Sequence, residues 1–360
     1  MATVHFDRVT HRYSGAPRPT VDDLELEIAD GEFVVLVGSS GCGKSTSMRM
    51  LAGLAAVQHG RISIGERDVT ELPAHDRDVA MVFGSYALYP NLTVAQNMGF
   101  ALRDAGVNEA DVQVRVDEAA KLLELEDLLE RKPAKLSEGE RQRVAMGRVI
   151  VRRPQVLCMD DPLADLNAGL RVSTWPQIVS LQKRLGTTTL YATHDQVEAM
   201  AVGDRVAVLR EGRLQQIAAP RDLYDDPVNT FVAGFIGSPG MNLLDAPVHN
   251  DAAMLDDLRI PLPRSAKPGA RVVLGIRPES WAVTSDSDGS VTITAERVEE
   301  LGAESFLYGH GASEDWSSRT GKVVARVDRR FRAGLGAPLH LRPKPDEILF
   351  FDAETETRLR

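Results

Sequence analysis

The fold class that the sequence predicts is an α/β domain with a parallel sheet, followed by a smaller all-β domain. Three observations predict it. Short apolar runs alternate with helix-forming stretches up to about residue 236. A glycine-rich loop ending in Gly-Lys-Ser directly follows one of those runs, at residues 38–46. Beyond residue 236 only short strand patterns remain, separated by Gly, Pro and Asp turns.

Each element follows from its local pattern. Val4, Phe6 and Val9, then Leu24, Leu26 and Ile28, alternate like two strands around a turn at residues 15–19. Residues 33–37 are an uninterrupted apolar run, the mark of a buried strand, and residues 62–64 and 79–82 are shorter ones. Residues 91–150 are rich in helix formers. There Val116, Ala119, Ala120, Leu123 and Leu128 recur at near-helical spacing, and the stripe reads as core packing. Residues 156–159 and 189–192 are two further buried runs. The glycine-punctuated stretch 231–240 sets the domains at 1–236 and 237–360. Strand patterns at 270–276, 291–298, 304–308 and 323–327 fit a small β-barrel or β-sandwich. No internal repeat or low-complexity segment interrupts this order.

Composition narrows the class. Charged residues are 26% and hydrophobic residues 43%, as in an ordinary soluble chain. No apolar stretch approaches the ~18 residues that span a bilayer, and the first residues lack the basic and apolar regions of a secretory leader. A net charge of −10 argues against broad nucleic-acid binding. Cys42 and Cys158 have no ligand-spaced partners, so neither a disulfide framework nor a metal site is expected. These features predict a cytoplasmic protein whose membrane role, if any, comes through partners.

The loop Gly38-Ser39-Ser40-Gly41-Cys42-Gly43-Lys44-Ser45-Thr46 carries the chemistry. Its glycines allow positive φ, so that backbone N–H groups curl around an anion. The helix that follows starts near Lys44 and points its positive dipole end at the same anion. Lys44 reaches β- and γ-phosphates in such loops, and the Ser45 hydroxyl ligates Mg²⁺. The competing reading is a glycine-rich turn with a solvated lysine; the strand before and the helix formers after favour the nucleotide.

Companion motifs fix the setting. The strand 156–159 ends in Asp160 and Asp161, of which the first acid holds Mg²⁺ in a P-loop fold. Residues 136–147 resemble the Leu-Ser-Gly-Gly-Gln signature of ABC-transporter ATPases, residues 164–167 stand at that family's D-loop, and Thr193-His194-Asp195 matches its switch histidine. Tyr13 stands where an aromatic stacks on adenine. The stretches 85–94, 194–200 and 231–239, with 275–279 and 299–302 further on, resemble ATPase subunits of carbohydrate-type importers, those for maltose, trehalose and sn-glycerol-3-phosphate. The similarity covers nearly the whole chain.

The resemblance implies an ABC ATPase domain and a C-terminal OB-like β-barrel regulatory domain. It implies ATP and Mg²⁺ as ligands, with Ser45 and Asp160 on the metal and Asp161 and His194 in catalysis. It implies a head-to-tail homodimer in which Ser137 and Gly139 of one subunit cap the γ-phosphate held by the other. It further implies docking of two transmembrane permease subunits on the segment from Ser85 to Val94, an extracytoplasmic solute-binding protein reached indirectly, and a place at the cytoplasmic face of the cell membrane. The solute is not legible, since such a subunit does not line the solute path.

The chain departs from the family pattern at the reaction centre. Gly84 stands at the Q-loop glutamine, and a glycine offers no side chain to metal or water. Asp161 replaces a glutamate, which leaves the carboxylate ~1.5 Å short for a base that must come within hydrogen-bond reach. Glu138 and Glu140 replace Gly and Gln in the signature, and Glu138 adds negative charge where a γ-phosphate docks. Asn167 replaces the D-loop aspartate. Pro176, after Trp175, falls inside a helical run, where it costs about 3 kcal/mol and predicts a kink or a fresh turn. Tolerated drift in a working ATPase competes with a slow or degenerate ATPase that binds ATP well and acts mainly as an ATP-binding regulatory subunit, and both compete with a soluble ABC-type switch that serves no transporter. Cys42, close to a helix N-terminus, is expected to be alkylation-sensitive. His5, His11, His59 and His75 have no sequence partners and read as surface or core residues.

Overall fold

A computed structural model describes residues 2–83, 88–164, 166–263, 269–311, 313 and 315–360. The chain forms two compact units that divide after Pro220.

The first unit contains two sheets. An antiparallel sheet is built from β1 (Val4–His11), β2 (Val21–Ile28), β4 (His59–Ile64) and β5 (Arg67–Asp68) in the order β2-β1-β4-β5. The other sheet has six strands: β3 (Phe33–Val37), β6 (Val79–Phe83), β7 (Val156–Asp160), β8 (Thr188–Thr193), β9 (Arg205–Arg210) and β10 (Arg213–Ala218). Their order is β10-β9-β3-β8-β7-β6, with all neighbours parallel except the β9–β10 hairpin. Strands β3 and β8 are buried at every position, as parallel strands covered on both faces must be. The apolar faces of β1, β2 and β4 share one core with β3, β7, β8 and β9.

Among the described residues, six α-helices connect these strands: α1 (Lys44–Leu51), α2 (Val94–Asp104), α3 (Glu109–Leu123), α4 (Glu138–Ile150), α5 (Ala168–Leu185) and α6 (Gln196–Val202). The stripe on α3 buries Val112, Val116, Ala119, Ala120 and Leu123, the core face that its spacing predicts. Pro176 lies inside α5, which continues through it, so no fresh helix starts there. The Ser173 and Thr174 hydroxyls donate to the Leu170 carbonyl one turn earlier, at 2.9 and 2.7 Å. Such back-bonding accompanies bent helices.

The second unit opens with two short helices, α7 (Pro220–Asp225) and α8 (Thr230–Phe235), so the composition change near residue 236 lies inside it. Its strands form two antiparallel sheets, of seven and five strands, around one core that includes Trp281 and Trp316. Asn242 joins the sheets. Its Nδ2 donates to Ile276 O and Val324 O, at 2.9 and 2.8 Å, while its Oδ1 accepts from Val324 N–H at 2.6 Å. The 275–279 motif finds a structural purpose here. Buried Arg277 lies 3.8 Å over the Tyr224 ring and donates to the carbonyls of Tyr224 and Ile236, at 2.6 and 2.5 Å. It thereby ties both short helices to the β-structure.

Candidate nucleotide site

The parallel sheet fixes where chemistry can occur. Strands β3, β8 and β7 are adjacent, and the phosphate loop, His194 and Asp160–Asp161 all sit at their carboxyl ends. Ligands bind at that edge of open α/β sheets.

The loop from β3 to α1 has the backbone that its glycines predict. Gly43 takes φ 108°, and a Cβ there would lie 2.7 Å from Thr20 O. A Cβ on Gly38 would lie 2.4 Å from Leu209 O, so neither position admits a side chain. Helix α1 has no acidic residue in its first turn to compete with an anion. Lys44 Nζ donates to the Gly38 and Ser39 carbonyls at 2.7 and 3.2 Å, curled within the loop. Ser45 Oγ donates to Asp160 Oδ1 at 2.7 Å. This pair of hard oxygen ligands, brought together from the loop and β7, suits Mg²⁺. Among the described residues no cluster of three or more His, Cys, Asp or Glu offers a competing metal site. Cys42 is buried rather than poised for alkylation.

Tyr13, half-exposed beyond β1, places its hydroxyl 3.3 Å from Thr46 Oγ1 in the first turn of α1. Its ring meets His11 edge-on at 4.5 Å, and His11 Nδ1 lies 2.7 Å from Ala56 O. His11 is therefore a buried support for the Tyr13 ring, a role its isolation in sequence did not suggest.

Asp161 adopts a left-handed backbone, φ 49°, and its Oδ2 lies 2.8 Å from His194 Nδ1. The two catalytic candidates thus meet directly, and the short carboxylate is engaged with the imidazole. Beneath His194 lies a buried acid. Glu198 Oε2 accepts from Thr193 Oγ1 at 2.9 Å, Glu198 Oε1 accepts from Tyr191 OH, and Thr193 Oγ1 accepts from Asp195 N–H at 3.0 Å. Burial raises the Glu198 carboxyl above its ordinary value, and burial together with Glu198 raises the Tyr191 hydroxyl well above its own. Sequence reading missed this support; the one available signal was an acid three residues past Asp195 at a helix start.

Ser137 and Gly139 lie elsewhere, at the start of α4. Ser137 Oγ accepts from Glu140 N–H at 3.3 Å, and Glu140 Oε2 accepts from Ser137 N–H at 2.6 Å. This capping box explains how a glutamate is accommodated in the signature, and the bond to Ser137 holds the Glu140 carboxyl below the ordinary range. A Cβ on Gly139 would meet nothing within 4 Å inside this chain. Asn167 caps α5 by accepting from Leu170 N–H at 3.1 Å.

Gly84, Ser85 and the D-loop Asp165 fall outside the described residues. The described remainder of the 85–94 segment borders an exposed aromatic patch. Phe83, Tyr89 and Phe100 are each about 40% exposed, the Tyr89 and Phe100 rings lie 4.6 Å apart, and Arg148 lies 5.0 Å over Tyr89. A cavity of about 200 Å³ opens beside Phe83, Asn97 and Arg148. No helix among the described residues is long and apolar enough to cross a membrane.

Comparison with known proteins agrees with this geometry. The ABC transporter family profile matches residues 21–164, and that of the MalK OB fold domain matches residues 237–280. The chain is 52% identical to the diacetylchitobiose uptake system ATP-binding protein MsiK of Streptomyces coelicolor, over all of both chains. It is 46% identical to the sn-glycerol-3-phosphate import ATP-binding protein UgpC of Chromobacterium violaceum, over 100% of this chain and 96% of that one. It is 43% identical to the sulfoquinovosyl glycerol transport ATP-binding protein SmoE of Agrobacterium fabrum, over 99% of each. Among solved structures, cbiO1 of Clostridium perfringens, part of the ABC transporter complex cbiONQ, superposes with a TM-score of 0.57 at 27% identity, over 61% of this chain and 89% of that one.

Proposed function

The chain belongs to the ATP-binding subunits of ABC transporters that carry a MalK-type OB fold domain, and from that premise we propose that it powers the import of a sugar or sn-glycerol-3-phosphate-like solute by hydrolysing ATP. The observation that carries the proposal is the meeting of Ser45 with Asp160 and of Asp161 with His194 on one sheet edge.

The roles follow from placement. Tyr13 offers a face to adenine, and the loop N–H groups with Lys44 bind the phosphates. Ser45 and Asp160 would hold Mg²⁺, which when bound offsets the charge developing on the phosphate oxygens. Asp161 accepts the proton of the attacking water, and His194 orients Asp161. Positioning and electrostatics carry the rate, because the chain has little covalent chemistry to perform.

Gly139 needs no glycine for packing within its own chain, which supports a close approach by a second copy, as a head-to-tail dimer requires. The exposed aromatic patch beside Val94 supports docking of two membrane-embedded permease subunits, and hence a peripheral place at the cytoplasmic face with a solute-binding protein across the membrane. The same patch favours a transporter over a soluble switch. The test is co-purification. The chain should bring down two hydrophobic subunits, and phosphate release by that complex should rise when the solute-binding protein is loaded. A chain that hydrolyses ATP with no hydrophobic partner would reverse the choice.

A second reading concerns rate. Asp161 is shorter than the usual base and already engaged with His194. That supports an ATPase that binds MgATP normally and turns over slowly.

A further inference from the structure

The turn that follows β7 and the turn that follows β8 are clamped together at two points. One is at the reaction centre, where Asp161 meets His194 at 2.8 Å. The other lies at the far ends of both turns. Arg171, in the first turn of α5, donates from Nη1 to Asp195 Oδ2 at 3.2 Å and from Nη2 to Leu166 O at 3.3 Å. Asp195 is the residue after His194, and its second oxygen caps α6 by accepting from the N–H groups of Val197 and Glu198, at 2.8 and 3.2 Å. Leu166 is tied back to Asp161 through its own turn: Leu166 N–H donates to Leu163 O at 3.1 Å, and Ala164 N–H to Asp161 O at 3.2 Å.

The bridge suits its residue. A guanidinium is a rigid planar fork that holds two acceptors in fixed relation, which an ammonium on a flexible stem does not. The side chains of Arg171 and Asp195 are 21% and 27% exposed, so solvent does little to screen the pair. Arg171 makes no hydrogen bond to the phosphate loop, to Asp160 or to Asp161 among the described residues.

We infer that Arg171 is a positioning residue for hydrolysis: by bridging Leu166 and Asp195 it fixes the two turns in the one relation that lets Asp161 and His194 meet. The inference rests on the ATPase reading given above and adds to it a residue that acts through His194. It predicts that Arg171 matters for turnover and not for nucleotide binding. It also predicts that its effect disappears when His194 is absent, because residues acting as one unit are non-additive.

The experiment has two arms. In the assembled transporter, Arg171→Ala should lower kcat by ~10-fold or more with KM for MgATP within about twofold. Arg171→Lys, which keeps the charge beside Asp195 but not the fork, should recover only part of the loss. In a His194→Ala background, Arg171→Ala should cost less than about twofold. In the full chain alone, with labelled histidines, the His194 imidazole signals should move in Arg171→Ala, and in the milder Arg171→Lys, while those of His5 and His59 stay. Equal losses with and without His194, a raised KM with unchanged kcat, or unmoved His194 signals would each overturn the inference. A native complex that released no phosphate would strike the ATPase reading instead, and the imidazole signals would still decide whether Arg171 sets the His194 turn.

Discussion

The phosphate loop and the turn after β7 share one edge of one sheet, but they are held in different ways. The loop is held by backbone. Gly38 and Gly43 sit against the carbonyls of Leu209 and Thr20, with no room for even a methyl group. The turn after β7 is held by side chains that water reaches: His194 is 57% exposed and Asp161 35%. On the proposed reading, binding phosphate is therefore mostly a property of chain path. Positioning water is a property of individual side-chain lengths. Of the departures from the family pattern, Asp161 falls on that second set, and on the proposed reading binding and turnover are free to part company.

The largest break in that comparison comes from the one charged side chain of the loop, Lys44. Lys44→Ala should weaken MgATP by roughly 3 kcal/mol, more than 100-fold in Kd, the order expected for a lost charge-assisted contact. Calorimetric titration checks this, and unchanged affinity would remove Lys44 from the site. Next, Ser137→Ala should cost about 1 kcal/mol of stability in thermal or urea unfolding, because it opens the capping box of α4. MgATP affinity of the isolated chain should hold, since Ser137 bonds within its own helix turn.

The smallest effect is a pH dependence, and its sign follows from Glu198. Burial raises this carboxyl above 4.5, so the folded chain binds a proton that the unfolded chain releases. Its contribution is fully present below the unfolded value and is lost as pH rises through the raised one. Glu198→Gln, which cannot ionise, should therefore gain stability relative to the native chain as pH is raised upward from about 4.5. Urea midpoints at several pH values measure it. A constant gap between the two proteins would show that burial does not raise the Glu198 carboxyl.

Much of this was legible in sequence because it is local. Glycines before a Lys-Ser pair, an apolar run ending in two acids, and a histidine after a third run each announce a strand end with a chemical group. The strands at 33–37, 156–159 and 189–192 fall where their apolar runs predict. What was illegible is what depends on distant pairing. Nothing in the sequence joins Arg171 to Leu166 and Asp195, or His11 to Ala56. Pro176 shows the complementary limit: propensity marks a local cost, and the rest of α5 outweighs it so that one helix runs through. Helices α7 and α8 belong to the second unit because Arg277, about forty residues on, holds their carbonyls.

The difference between holding and hydrolysing comes down to one measurement. Steady-state phosphate release should be compared between transporters carrying the native chain and the Gly84→Gln, Asp161→Glu double variant, with MgATP affinity measured on the same preparations. Restored side-chain lengths should raise turnover at least ~10-fold, about 1.4 kcal/mol of barrier, and leave affinity within about twofold. Equal turnover would show that the native residues already position the water and that the two substitutions are neutral.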